Sequence, residues 1–203
     1  MTTTEIDTAF GPARAELHCA EEGVAALLLG HGAGGGIEAD DLVAVTRAAQ
    51  AAGVHVVLVE QPYRVAGRRA PAPAGQLDEA WLTVAEELSA RWLDDLPLVF
   101  GGRSSGARVA CRTAAAGQAV AVLCLAFPVH PPGKPEKTRQ PELDAVEVPT
   151  LVVQGEGDPF GQPESGRHHE IVQVAGDHSL RADLDAVSRA CTEWLQRVLR
   201  PLT

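Results

Sequence analysis

The chain has 203 residues, 45% of them hydrophobic but only 4% aromatic, so it suits one domain whose core is filled by Ala, Val and Leu. Its formal net charge of -10 argues against non-specific binding to nucleic acid or to an anionic membrane. The longest unbroken apolar run, Ala119 to Phe127, has nine residues, well short of the roughly 20 that a membrane span requires.

The N-terminal stretch MTTTEIDTAFGPAR has no basic segment followed by an apolar one and does not read as a signal peptide. Val24 to Leu29 is a continuous apolar run of strand length, followed by the glycine-rich loop Gly30-His31-Gly32-Ala33-Gly34-Gly35-Gly36. Leu42, Val45, Ala49 and Ala52 recur at helical steps, which predicts a helix that Gly53 stops. A strand follows at His55 to Val59, then a loop rich in Pro, Ala and Arg from Pro62 to Gly75. Leu77, Trp81, Val84, Leu88 and Trp92 mark one face of the next helix. The strand Leu96 to Phe100 runs straight into the turn Gly101-Gly102-Arg103-Ser104-Ser105-Gly106, and Ala107 to Ala116 reads as helix. Ala119 to Phe127, Thr150 to Val153 and Ile171 to Val174 are further strands, with a proline-rich loop from Pro128 to Gln140. Leu184, Val187, Cys191, Trp194 and Val198 mark the last helix.

All three tryptophans fall on helical faces and are assigned to the core. The four cysteines, Cys19, Cys111, Cys124 and Cys191, are scattered without a CxxC pair. They read as small hydrophobes in a reducing compartment, so a cytoplasmic location is expected. Strands apolar on both faces, alternating with helices, predict an α/β fold in a single domain over residues 1–203. Its sheet would be mostly parallel, of about six or seven strands, with helices on both faces.

Polar sites fall at the ends of these strands, where ligands sit in open α/β sheets. Gly102-Arg103-Ser104-Ser105-Gly106 lies between a strand and a helix, the context of a nucleophile elbow. Such a turn is so tight that the positions two before and two after the nucleophile must lack side chains. Serine is a poor nucleophile until a base takes its proton, so a histidine and an orienting acid are needed. Asp158, in the turn after the Thr150 strand, is the preferred acid; Glu156 and Asp177 are the alternatives. His178, after the last strand and before the last helix, is the base. His168 and His169 precede that strand and are expected at the surface. The backbone N–H of Ser105, at a helix N-terminus, can donate to an oxyanion, and a second donor is expected from Ala33, or else Gly34. His31 is expected to brace the glycine loop and to lie near the substrate.

The same loop also matches GxGxxG after a strand, and Glu60 stands where a ribose-binding acid would sit in a dinucleotide fold. Glu38, Asp40 and Asp41 at the start of the next helix would repel a pyrophosphate. Nor would a dinucleotide explain Ser104, Asp158 and His178 together.

With these residues in view, the chain resembles the α/β-hydrolase superfamily over essentially its whole length. The strings HGAGGG, GGRSSGARVA, HPPGKPEK, VQGEGDPFG and GDHSL carry a likeness to the small dienelactone-hydrolase-like branch. That branch includes hydrolase-like domains related to the nonspecific-lethal-complex and testis-expressed proteins. The resemblance implies an α/β-hydrolase fold with minimal or no cap, lacking some early strands of larger relatives. It also implies a Ser104-Asp158-His178 triad, with oxyanion donors near Ala33 and Ser105. Dienelactone hydrolases have cysteine at the nucleophile position, so their substrate is not carried over.

The expected activity is cleavage of an ester or related acyl bond in a small or exposed substrate, with no metal or organic cofactor. The expected partner is that small acyl substrate, not nucleic acid or membrane. A catalytically silent binding protein of the same fold is the alternative. Arg103, Tyr63 and His130, with Arg64 and Lys134, lie on loops at the same sheet edge as Ser104. They suggest a cationic rim for a carboxylate-bearing substrate.

Overall fold

β3 (Ala25–Gly30) is buried along its whole length, because it pairs in parallel on both sides, with β4 (Val54–Glu60) and β5 (Leu98–Arg103). The computed structural model describes residues 2–93 and 96–200. From β5 the sheet continues in parallel through β6 (Ala121–Leu125), β7 (Thr150–Gly155) and β8 (His169–Val174). On the far side of β4 lies an antiparallel hairpin, β1 (Thr2–Thr8) and β2 (Gly11–His18). The spatial order is β1-β2-β4-β3-β5-β6-β7-β8. The sheet therefore has eight strands, where the apolar runs had suggested six or seven, and the early strands are present. The hairpin escaped that reading because β2 buries only one face, through Ala13, Ala15 and Leu17. Small residues alternating with Arg14, Glu16 and His18 make a weak period-two signal.

α1 (Asp40–Ala51) and α6 (Leu184–Leu199) cover one face of the sheet, placing Leu42, Val45, Val187, Cys191 and Trp194 against the strands. α3 (Ala74–Trp92) and α4 (Ser105–Thr113) cover the other with Leu77, Trp81, Leu88, Val109 and Ala110. Two layers of helix around one sheet bury both faces, which is why the central strands need no polar alternation. Gly53 ends α1 with φ of 77°, a conformation glycine adopts without strain.

The two proline-rich segments hold more structure than a loop. Pro62 opens the one-turn helix α2 (Pro62–Val65), at the first helical position where its missing N–H costs nothing. The connection from β6 to β7, where larger relatives carry a cap, contains only α5 (Gln140–Asp144). Glu142 of α5 is bound by Arg108 and Arg112 of α4, so the segment lies back on the domain and no cap covers the sheet edge.

Trp81 and Trp194 are buried as expected, but Trp92 is 46% exposed, because it sits on the last turn of α3. Cys111, Cys124 and Cys191 are buried and Cys19 is exposed, all four as free thiols. His169, expected at the surface, is instead buried. Its ring packs over Gly166 and its Nε2 lies 2.8 Å from the Glu164 carbonyl. Among the described residues no helix is long and apolar enough to cross a membrane.

Candidate active site

Ser104 has φ 52° and ψ -106°, a left-handed conformation that L-residues other than glycine adopt only under strain. The surrounding turn imposes it. A Cβ on Gly102 would lie 2.6 Å from the Gly30 carbonyl oxygen, and one on Gly106 would press still harder on the same atom. The two glycines therefore let the elbow pack directly on the end of β3. The Ser104 amide donates to the Leu125 carbonyl at 2.9 Å, which ties the turn to β6 as well. Ser105 opens α4, so its N–H has no intrahelical acceptor and is available at the positive end of the helix.

The Nε2 of His178 lies 2.9 Å from Ser104 Oγ, and its Nδ1 lies 2.7 Å from Asp158 Oδ2. Asp158 Oδ2 also accepts from Gln154 Nε2 at 2.8 Å, while Oδ1 accepts the Phe160 amide at 2.8 Å. A carboxylate receiving several N–H groups is an acceptor, so His178 carries its proton on Nδ1 and offers the Nε2 lone pair to the serine hydroxyl. The side chain of Asp158 is fully buried, and that of His178 is 17% exposed. The line of three thus runs from the interior outward to Ser104.

The structure brings together the preferred acid and not its alternatives. Asp177 Oδ1 accepts from the amide and hydroxyl of Ser179 at 2.8 and 2.6 Å, and those bonds hold its carboxyl below the usual range. Glu156 is exposed at the surface. Gly155 serves the site through its missing side chain, because a Cβ there would collide with the Asp177 carbonyl. It lets the acid turn and the histidine loop close on each other.

Above the elbow, the glycine loop is fixed from two sides. His31 Nδ1 donates to the Gly32 carbonyl at 2.8 Å, and its Nε2 accepts the Gln61 amide at 3.1 Å. These roles require a neutral imidazole, in keeping with burial pushing its pKa down. Tyr63 stacks obliquely on His31, with ring centroids 5.8 Å apart, and donates its hydroxyl to the Ala33 carbonyl at 3.0 Å. Both residues were expected near a substrate; Tyr63 makes its polar contact to the loop that carries Ala33 and Gly34, and His31 ties that loop to Gln61. Glu60, which a dinucleotide would need for its ribose, is bound to Arg14 at 3.1 Å.

Arg103, also expected at the rim, turns inward. Its Nη2 donates to the His178 carbonyl at 3.0 Å, and its Nε lies 2.8 Å from Asp41 Oδ2 in an ion pair that is not an aligned hydrogen bond. His130 lies beside the acid turn: its amide donates to the Phe160 carbonyl at 3.2 Å and its ring borders Gly161. Two neighbours of the site were not singled out from the sequence. Gln154 supports Asp158, and Phe160 packs edge-on against His178 with centroids 4.4 Å apart. The Asp-Pro-Phe-Gly turn was the available signal for Phe160. Among the described residues no three His, Cys, Asp or Glu side chains are grouped to hold a metal ion.

The fold and this arrangement define an α/β-hydrolase domain. The chain belongs to the alpha/beta hydrolase domain family, which it matches over residues 23–197. It is similar in structure to a lid-less α/β serine hydrolase from Xanthomonas campestris, with 20% identity, a TM-score of 0.75, and coverage of 97% of this chain and 94% of that one. Est1E from Butyrivibrio proteoclasticus superposes with a TM-score of 0.79 at 18% identity, covering 97% and 98% of the two chains. Dienelactone hydrolase from Anabaena variabilis gives a TM-score of 0.74 at 19% identity, covering 97% and 96%. No curated protein matches the chain significantly.

Proposed function

We propose that the protein is a serine hydrolase that cleaves an ester or related acyl bond of a small or exposed substrate. The observation that carries this reading is the continuous hydrogen-bonded line from Ser104 Oγ through His178 to Asp158, at 2.9 and 2.7 Å. Membership of a hydrolase family and the hydrolase neighbours support it.

In this reading His178 Nε2 takes the Ser104 proton as Oγ attacks the substrate carbonyl carbon. Asp158 holds the imidazole in the required tautomer and stabilises the cation that forms. The developing oxyanion is met by the backbone N–H groups of Ser105 and Ala33, with Gly34 as the neighbouring donor. Collapse of the tetrahedral intermediate breaks the bond to the leaving group, which takes the proton from His178. A water deprotonated by His178 then attacks the acyl-enzyme and releases the acid, returning the proton to Ser104. The uncapped edge suits a small or exposed ester rather than a lipid that must be enclosed.

A fluorophosphonate probe tests the reading. Covalent attachment mapped to Ser104, abolished in Ser104→Ala and strongly slowed in His178→Ala, is the expected result, together with hydrolysis of short p-nitrophenyl esters. Folded wild-type protein that neither labels nor hydrolyses such esters would overturn it and favour a binding role for the same fold.

A further inference from the structure

We propose that Arg103 is a positioning residue that holds the His178 loop against the Ser104 turn, with buried Asp41 aiming its guanidinium. The proposal rests on the reading of Ser104, His178 and Asp158 as a catalytic triad, and it assigns Arg103 a role other than binding a substrate anion.

One planar group touches the histidine loop, the glycine loop and the first turn of α1. Arg103 ends β5, next to Ser104, so its backbone is fixed by the elbow. Its Nη2 donates to the backbone carbonyl of His178 itself at 3.0 Å. Its Nη1 lies under the glycine loop, 3.0 Å from where a Cβ on Gly32 would stand. Its Nε faces Asp41 Oδ2 at 2.8 Å. A side chain at position 32 would push the guanidinium away, which gives Gly32 a reason to be glycine apart from the oxyanion donors beside it.

The histidine loop needs such a tether. Gly176 and Leu180 flank it with φ of 109° and 55°, so no regular strand or helix fixes the backbone at His178. A shift of that backbone would move Nε2 off Ser104 Oγ, and displacements of about 1 Å cost rate steeply. Arginine suits this role because its donors point in fixed directions from one plane, whereas lysine offers a single nitrogen.

Asp41 sets the orientation. Its side chain is 1% exposed, and burial raises its pKa against the opposing pull of Arg103. Its Oδ1 accepts the Leu42 amide at 2.9 Å, which fixes the carboxylate and hence the place of the negative charge that draws the guanidinium inward. Buried pairs of this kind contribute little to stability, so orientation is the more economical account of this one. With its charge matched by Asp41 and its Nη2 on His178, Arg103 does not face the solvent side as a free cation.

The test compares Arg103→Gln, Arg103→Lys and Asp41→Asn with wild type. The first readout is the low-field proton NMR signal of the His178 Nδ1–H bonded to Asp158, recorded without substrate. The second is kcat and KM for paired neutral and carboxylate-bearing esters. Arg103→Gln is expected to broaden or shift the low-field signal. It should lower kcat by about tenfold to a hundredfold for both esters, with KM changed less than about twofold. Arg103→Lys should not restore kcat, and Asp41→Asn should fall between it and wild type. An unchanged signal and unchanged kcat in Arg103→Gln would overturn the proposal. So would a KM rise confined to the carboxylate-bearing ester, which would make Arg103 a substrate cation. If Arg103→Gln does not fold, Arg103→Lys is read by the same criteria. The two readings fail separately: wild type inert to fluorophosphonate removes the triad, while the NMR signal still reports whether Arg103 holds His178.

Discussion

Ser104 Oγ and His178 Nε2 stand 2.9 Å apart although 74 residues separate them in the chain. The juxtaposition depends on a serine held in a left-handed conformation, so the strain and the proposed chemistry reside in the same residue. Replacing Ser104 by glycine removes both. Ser104→Gly is expected to abolish labelling and esterase activity while stabilising the fold by about 1 kcal/mol or more. That corresponds to a Tm rise of roughly 2–4 °C per kcal/mol for a domain of this size. Thermal unfolding of the pair checks it; a destabilised Ser104→Gly would mean that the elbow stores no strain.

The glycines around that serine predict the opposite behaviour. Gly102→Ala would place a methyl group 2.6 Å from the Gly30 carbonyl oxygen, backbone that cannot yield without moving β3 or α4. A loss of about 1–3 kcal/mol in urea unfolding, with activity reduced at least in proportion, is expected. Gly34→Ala is the control: a Cβ at Gly34 meets nothing within 4 Å, so its stability should stay within about 0.5 kcal/mol of wild type.

Much of this was legible in the sequence because the features are local. The elbow declares itself through two glycines, and strands buried on both faces declare themselves as unbroken apolar runs. Asp158 and His178 followed from their place after later strands. Arg103 and Tyr63 were not legible in the same way. Their position at the site's sheet edge was apparent, but the direction of each side chain depends on Asp41 and Ala33, which are distant in sequence. Phe160 acts through packing on His178 and Gln154 through a hydrogen bond to Asp158. Only Phe160 had a local signal, the Asp-Pro-Phe-Gly turn, and no local pattern encodes the partner of either. The N-terminal hairpin was missed for a different reason: alanines facing inward give a strand little hydrophobic contrast.

Tyr63 offers a check on which side of the site it serves. Its hydroxyl is bound to the Ala33 carbonyl, so Tyr63→Phe leaves that carbonyl without its donor and loosens the loop bearing the proposed oxyanion donor. Loss of one such bond is worth about 0.5–1.5 kcal/mol, so kcat should fall by roughly threefold to tenfold with KM little changed. A Tyr63 that bound substrate through its hydroxyl would instead raise KM, and steady-state kinetics on one neutral ester separates the two.

His31 predicts the pH dependence of stability. Its Nδ1–H is committed to the Gly32 carbonyl and its Nε2 must accept the Gln61 N–H, so the folded protein requires the neutral ring. Burial accordingly lowers its pKa from the ordinary 6.5. The unfolded chain, with the higher pKa, binds a proton first as pH falls. The stabilisation from His31 is therefore fully present above about pH 6.5 and is lost progressively as pH drops below it. Urea unfolding from about pH 7.5 to about pH 5 should show a declining free energy. His31→Gln should be less stable than wild type at the upper end and show a shallower decline. If the two slopes are equal, His31 is not the group that titrates, and its neutral state is not what holds the glycine loop.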